Sequence, residues 1–156
     1  MNFDVQFFGA AGEVTGSLYL LRAGEHKVLL ECGQIQGSRK NELRNRRSFP
    51  LPVADIDAVI LSHAHIDHSG RVPLLARRGY SGPIYCQSAT RALCRIMLPD
   101  SGYLNEKDTE WENRERERKG LPLVEPLYTR AEAEQCLNLF KDFAYDETRE
   151  ILPGLS

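Results

Sequence analysis

Three of the four histidines in this chain fall within six consecutive residues, directly after an apolar run. The apolar run is Ala58-Val59-Ile60-Leu61, and the polar segment reads His63-Ala64-His65-Ile66-Asp67-His68. A short, continuous apolar run is typical of a strand that is buried on both faces of a sheet. Alternate side chains of an extended segment share one side, so His63, His65 and Asp67 point together. The sequence therefore predicts a cluster of polar donors at the end of a buried strand.

This cluster has the composition of a metal site. Imidazole nitrogens and carboxylate oxygens bind zinc at about 2.0–2.2 Å. His63 and His65 suit one ion, and the adjacent pair Asp67 and His68 suits a second. Two ions about 3.5–4 Å apart can hold a bridging hydroxide and make it a nucleophile near neutral pH. Burying so many polar groups without a ligand would be costly, so we predict that the cluster binds two Zn²⁺ ions, with Mn²⁺ as the alternative. We also predict a catalytic role for Asp67.

The rest of the chain alternates between strand and helix patterns, which predicts an α/β domain. Residues 3–7 alternate apolar and polar side chains, as a half-buried strand does. Residues 17–22 and 27–32 flank a short turn that contains Gly24, which predicts a hairpin.

Helix signals follow in the second half of the chain. Ser88 is expected to cap a helix that ends at Pro99 and turns Leu93 and Ile96 toward the core. Residues 129–132 form a capping box that opens a later helix. Residues 105–119 are densely charged, so they fit either a solvated helix or a surface for a partner, with Trp111 as its anchor.

Charge and cysteine content narrow the class of protein. The net charge of −2 gives no overall electrostatic basis for binding nucleic acid. One dense basic cluster could contact a phosphate backbone or could equally be a solvated surface: Arg39, Lys40, Arg44, Arg46 and Arg47. The four cysteines form no C-x-x-C pair and predict free buried thiols. No apolar stretch approaches the roughly 18 residues that cross a bilayer, so we expect a cytoplasmic protein with no membrane partner.

Several segments resemble a known family. The run from His63 to His68 resembles the H-x-H-x-D-H signature of the metallo-β-lactamase superfamily. Four further segments resemble its β-CASP branch of RNA-processing nucleases: Gly-Ala-Ala-Gly-Glu-Val-Thr-Gly-Ser at 9–17, Leu-Glu-Cys-Gly-Gln-Ile-Gln-Gly at 30–37, Gly-Tyr-Ser-Gly-Pro-Ile-Tyr at 79–85, and the closing region 125–155. The resemblance covers nearly the whole chain.

The resemblance implies a four-layer αβ/βα sandwich with its metal site at one edge of two packed sheets. In relatives, residues matching His63 and His65 hold one zinc, and those matching Asp67 and His68 hold the other. Glu31 lies at the end of the second predicted strand of the hairpin, where relatives usually have Asp. A carboxylate there would orient a ligand histidine without touching the metal.

The resemblance also implies missing parts. The family completes its metal site with further histidines and a shared aspartate, whereas the only other histidine in this chain is His26, in a predicted turn. We therefore expect residues 1–156 to be the amino-terminal half of the domain, with the β-CASP insertion and the second half absent. The chain alone would be inactive, and would expose an apolar sheet face that favours self-association, for instance as a homodimer.

The expected function is a metal-dependent phosphodiesterase that cleaves single-stranded RNA. One alternative is a small-molecule hydrolase of the same superfamily, acting on a thioester, lactone or lactam. Another is a non-catalytic scaffold in an RNA-processing complex. The segment at 9–17 and the closing region favour the nuclease over the first alternative. The intact set of His63, His65, Asp67 and His68 argues against the second.

Overall fold

A computed structural model describes residues 2–156 and shows one mixed sheet that is flanked by helices. The strands are β1 (Phe3–Gly9), β2 (Leu18–Ala23), β3 (His26–Leu30), β4 (Ala58–Ile60), β5 (Ile84–Gln87) and β6 (Phe140–Phe143). The helices are α1 (Arg39–Glu42), α2 (Ile66–Ser69), α3 (Val72–Arg77), α4 (Ser88–Arg118) and α5 (Arg130–Cys136), and short 3₁₀ turns cover Leu43–Arg46, Val53–Asp55 and Leu137–Leu139.

The strands lie in the sheet in the order in which they occur along the chain. Strands β1, β2 and β3 form an antiparallel meander, whereas β3 to β6 are parallel to one another. The predicted hairpin is confirmed as β2 and β3, which are joined by Gly24 and Glu25. The parallel strands are connected through helices, as parallel pairs require, and the predicted α/β class is confirmed.

One face of the sheet forms the core. Five side chains follow one another across the sheet through direct register pairs, and each is at most 2% exposed: Leu20, Leu29, Val59, Ile84 and Phe140. They belong to one buried cluster with side chains from α3, α4 and α5. This packing fixes β4, and so fixes where the histidine segment leaves the sheet.

The other face is open at β1. Phe3, Val5 and Phe7 are 62%, 43% and 66% exposed. The predicted strand at residues 3–7 is confirmed, but its predicted half-burial is wrong. The reason is that β1 is the edge strand and its apolar side chains lie on the face opposite the helices. An exposed apolar sheet face agrees with the expectation from sequence.

Helix α4 differs most from its prediction. It continues through Pro99 to Arg118, and its N-cap is Gln87, whose side chain accepts a hydrogen bond from the backbone N–H of Ala89. The predicted cap at Ser88 and the predicted end at Pro99 are therefore wrong. Pro99 is buried, so tertiary packing here outweighs the tendency of proline to break a helix.

The buried side of α4 is also not the predicted one. Leu93 and Ile96 are 53% and 71% exposed, while Thr90, Cys94 and Leu98 are buried at intervals of four residues. Gly102 continues this stripe, and a Cβ there would lie 2.7 Å from the carbonyl oxygen of Thr129. The lack of a side chain at Gly102 therefore lets α4 lie close to the start of α5, which a search for large apolar residues does not detect.

Two further predictions about the helices are confirmed. Thr129 and Glu132 form the capping box of α5. The charged segment that begins at residue 105 is helical and forms the last part of α4, up to Arg118. Trp111 is exposed there, which fits a solvated helix and a surface for a partner equally.

Two compositional predictions were also tested. No helix within residues 2–156 is long and apolar enough to cross a membrane. All four cysteines are free and buried, as predicted. Burial raises the pKa of Cys32 to about 12.

Candidate metal centre

The histidine segment runs from the end of β4 into helix α2, which contains Asp67 and His68, and the loops before β2 and after β3 hold it there. The extended backbone that the sequence predicted for His63, His65 and Asp67 therefore ends at His65, where the helix begins. Three backbone hydrogen bonds make this clasp: Ser17 N to Asp67 O (2.9 Å), Cys32 N to His68 O (2.8 Å) and Gln34 N to Ile66 O (2.9 Å). The buried hydroxyl of Ser69 closes the segment on itself by donating to Ala64 O at 2.8 Å. The backbone of the predicted metal residues is therefore fixed from two sides.

Gly33 makes this clasp feasible. A Cβ at position 33 would overlap the carbonyl group of Asp67 and lie 2.9 Å from His68 N. No side chain fits between these two backbones. Gly33 is therefore needed so that the two backbones can approach closely, and not because of an unusual backbone angle.

The structure brings together all four predicted metal residues. The ring centroid of His63 lies 4.6 Å from that of His65 and 4.0 Å from that of His68. Asp67 Oδ2 lies 3.6 Å from His68 Nε2. His65 is exposed and the other three are half-buried, so the cluster opens to solvent at the end of β4.

His63 is the most constrained of the three imidazoles. Burial lowers its pKa, and the neighbouring His68 and His65 lower it further. Its Nδ1 is hydrogen-bonded to Ser62 Oγ at 2.8 Å. A neutral imidazole whose second nitrogen is occupied is the form that binds a metal through the remaining nitrogen.

The geometry can now be compared with known proteins. The sequence model of the metallo-beta-lactamase superfamily matches residues 11–139, which include both the clasp and the histidine segment. This chain belongs to the metallo-beta-lactamase superfamily. The recognition made from sequence is confirmed at this level, and so is the fold class. Membership in the superfamily implies a divalent-metal site.

Three similar proteins further define the position of this chain within the superfamily. Ribonuclease TTHA0252 of Thermus thermophilus is 53% identical over 94 residues, which cover 60% of this chain and 21% of that protein. Transcription termination factor FttA of Methanosarcina mazei is 43% identical over 99 residues, covering 62% and 15%. FttA of Methanocaldococcus jannaschii is 32% identical over 151 residues, covering 97% and 22%. The chain spans only 15–22% of the length of these relatives. The ribonuclease among them agrees with the resemblance to the β-CASP branch.

Glu31 lies directly behind the histidines. It is 8% exposed, and its backbone adopts the left-handed region, with φ of 63°. Its Oε1 accepts a hydrogen bond from Ser62 N at 2.9 Å, and its Oε2 lies 3.5 Å from His68 Nδ1. Glu31, with its longer side chain in place of the usual Asp, therefore lies beside His68, one of the predicted ligand histidines, and its orienting role stays a prediction.

The imidazole and carboxylate donors gathered here are of the types that bind a divalent metal. Glu31 Oε2 and His68 Nδ1 are both buried without a hydrogen-bond partner within residues 2–156, and such atoms are costly unless they are compensated. A cation bound on the other side of the His68 ring would strengthen the attraction between these two atoms. In the same residues, however, no three donors surround a common point. The ligands are gathered at one place but do not form a closed coordination shell.

Two residues near the centre were not predicted to be functional. Ser62 contacts both Glu31 and His63, and its only sequence signal is that it precedes the first histidine. Arg71 follows α2 and is 5% exposed. His26, by contrast, lies away from the cluster, with its Nε2 3.2 Å from the carbonyl oxygen of Pro153.

Proposed function

We propose that this chain carries the metal-binding segment of a metal-dependent nuclease that cleaves single-stranded RNA. His63 and His65 would hold one ion, and Asp67 and His68 the second. The observation that carries the proposal is the contact of three imidazole rings beside Asp67 at the end of β4. The similarity to a ribonuclease supports RNA as the substrate.

The surrounding residues prepare the donors. Ser62 is hydrogen-bonded to one nitrogen of His63, and a hydrogen bond of this kind sets the tautomer and direction of a ligand imidazole. The Glu31 carboxylate lies 3.5 Å from Nδ1 of His68, where its charge would attract the ring of a metal-bound imidazole. When bound, two zinc ions would supply Lewis acidity toward a phosphate oxygen and a nucleophilic water near neutral pH. The Asp67 carboxylate would offset part of the positive charge at the site.

The identity of the metal and the location belong to the same proposal. We propose zinc rather than manganese because three of the four donors are imidazoles, whereas manganese suits sites rich in oxygen ligands. We propose the cytoplasm because all four cysteines are free thiols, which a reducing compartment preserves.

Asp67→Ala tests the proposal in the intact protein. We expect loss of metal-dependent cleavage of labelled single-stranded RNA, in the presence of added zinc or manganese, because the acid of the second ion is removed. The far-UV circular dichroism spectrum should stay unchanged, since the half-buried Asp67 side chain is not part of the hydrophobic core.

Asp108→Ala is the matched control. Asp108 is an exposed acid on the charged end of α4, and its removal should leave cleavage as it is. A purified protein that ignores RNA but hydrolyses thioesters or lactones would instead establish the small-molecule hydrolase.

A further inference from the structure

A small cleft with three arginines lies where the segment after α1 meets Arg71, which comes shortly after α2. It has a volume of about 210 Å3, and Arg44, Arg47, Ser48 and Arg71 line it together with apolar side chains that include Phe8 and Pro50. Pockets for drug-sized ligands occupy roughly 300–1,000 Å3. The cleft is smaller, so it suits a small polar group.

Arg71 is an unusual residue in this cleft. It is 5% exposed, and its Nε is buried without a hydrogen-bond partner within residues 2–156. Its guanidinium lies 4.7 Å from the ring centroid of Phe49, and its Nη2 donates to the carbonyl oxygen of Arg47 at 3.3 Å. A buried arginine is normally paired with an acid, because removing a charge from water is costly. Burial and the nearby Arg78 lower the pKa of Arg71, as expected for a cation without such a partner.

The neighbouring cations are not neutralised either. Arg78 lies 5.2 Å from the same Phe49 ring and donates to the carbonyl oxygens of Arg46 and Arg47. In the part of the chain that the structure describes, Arg47, Arg71 and Arg78 form no ion pair. The chain as a whole carries a net charge of −2, so this is a local excess of positive charge.

Arg44 differs from these three. Its two terminal nitrogens each donate to a carboxylate oxygen of Glu13 at 2.7 Å. This ion pair lowers the pKa of Glu13 and ties the loop between β1 and β2 to the wall of the cleft. Arg44 therefore shapes the cleft, while Arg47 and Arg71 supply its uncompensated charge.

The cleft is connected to the metal centre through the backbone. Arg71 N donates to Cys32 O at 2.8 Å, and Cys32 N donates to His68 O at 2.8 Å. The backbone of Cys32 is thus hydrogen-bonded both to the histidine segment and to the buried Arg71. A group held in the cleft would have a fixed position relative to the histidines.

We propose that this cleft binds a phosphate group, held by the guanidinium groups of Arg47 and Arg71 and by the hydroxyl of Ser48. Guanidinium groups bind phosphate oxygens through paired, charge-assisted hydrogen bonds, and a serine hydroxyl adds a donor. The sequence left open whether its basic cluster contacts phosphate, and within that cluster Arg47 would make this contact, because it lines the cleft and forms no ion pair within residues 2–156. The natural ligand rests on the proposed function: in an RNA nuclease it is a strand phosphate other than the one attacked.

Titration with inorganic phosphate tests the site without metal. Amide NMR spectra of the protein are recorded in EDTA while sodium phosphate replaces sodium chloride at constant ionic strength. We expect saturable shifts at residues 44–48 and 71. Because metal is absent, failure of the nuclease proposal would leave this result unchanged.

Arg47→Gln and Arg114→Gln form a matched pair of variants. Both arginines are exposed, and each change removes one charge at a position where folding should be unaffected. Arg47→Gln should weaken phosphate binding at least about tenfold, the factor expected for one charge-assisted hydrogen bond, whereas Arg114→Gln should not. Absence of saturable shifts, or equal weakening in both variants, would overturn the proposal.

A short single-stranded RNA without terminal phosphates identifies the source of the phosphate. If the occupant is a strand phosphate, the RNA shifts the same amides with the same sensitivity to Arg47→Gln. If only inorganic phosphate shifts them, the cleft binds the free anion.

Discussion

Gly33→Ala provides a direct test of how the metal segment is held. A methyl group at position 33 would overlap the carbonyl of Asp67 and lie 2.9 Å from His68 N. To restore ordinary contact, one of the two backbones must move by roughly 1 Å or more. The three hydrogen bonds across this contact are 2.8–2.9 Å long, from Ser17 N, Cys32 N and Gln34 N, so such a shift breaks several of them.

The expected loss of stability follows from these bonds. Each broken hydrogen bond lowers the free energy of unfolding by about 1 kcal/mol, and buried unsatisfied groups add more, so we expect a loss of at least about 3 kcal/mol. Gly12→Ala is the control, because nothing lies within 4 Å of a Cβ at that position and only its φ of +75° is unfavourable. That strain costs roughly 1–2 kcal/mol.

Urea unfolding followed by far-UV circular dichroism measures both variants. Fluorescence is less suitable, because the single tryptophan, Trp111, is already 64% exposed. Zinc affinity is measured in parallel, and Gly33→Ala should lower it while Gly12→Ala should not. If the two variants unfold at the same urea concentration, the clasp does not constrain the metal segment and our reasoning fails.

Two further predictions concern buried groups around the site. Glu31→Gln should keep the bond from Ser62 N but lose the charge facing His68, so zinc affinity measured against a chelating dye should fall about 10–100-fold; unchanged affinity would show that Glu31 does not support His68. Burial raises the pKa of Cys32 from 9.0 to about 12, so the stabilisation is complete below pH 9 and is lost as the pH rises toward 12, since the unfolded thiol ionises first. Cys32→Ala should reduce by about one the number of protons released on unfolding over that range, so the free energy of unfolding should fall less steeply with pH. An identical pH dependence would contradict the burial of the Cys32 thiol.

The sequence predicted the site better than its surroundings. The spacing of His63, His65, Asp67 and His68 after an apolar strand depends on local backbone geometry, and the structure brings these residues together. Their roles as ligands stay predictions. Two further expectations also stay predictions, because no observation tests them: that residues 1–156 are the amino-terminal half of the domain, and that the chain forms a homodimer.

The failures have a common physical cause. Whether Phe3, Val5 and Phe7 are buried depends on what covers β1. Whether the side of α4 that carries Leu93 and Ile96 is exposed depends on where α5 packs. Neither position is encoded in a short stretch of sequence. Arg71 was missed for the same reason, because its isolation from acids appears only when the loops after β3 and α1 pack beside it.

The course of the sheet also has a consequence for the order of folding. Strands β1, β2 and β3 pair with their immediate neighbours in the chain, whereas β6 pairs with β5 across the whole of residues 88–139. Closing so long a loop costs entropy that only the packing of α4 and α5 can offset. We therefore expect the meander to form early and β6 to join last. Amide hydrogen exchange should accordingly be slowest at β2 and β3, and faster at β6.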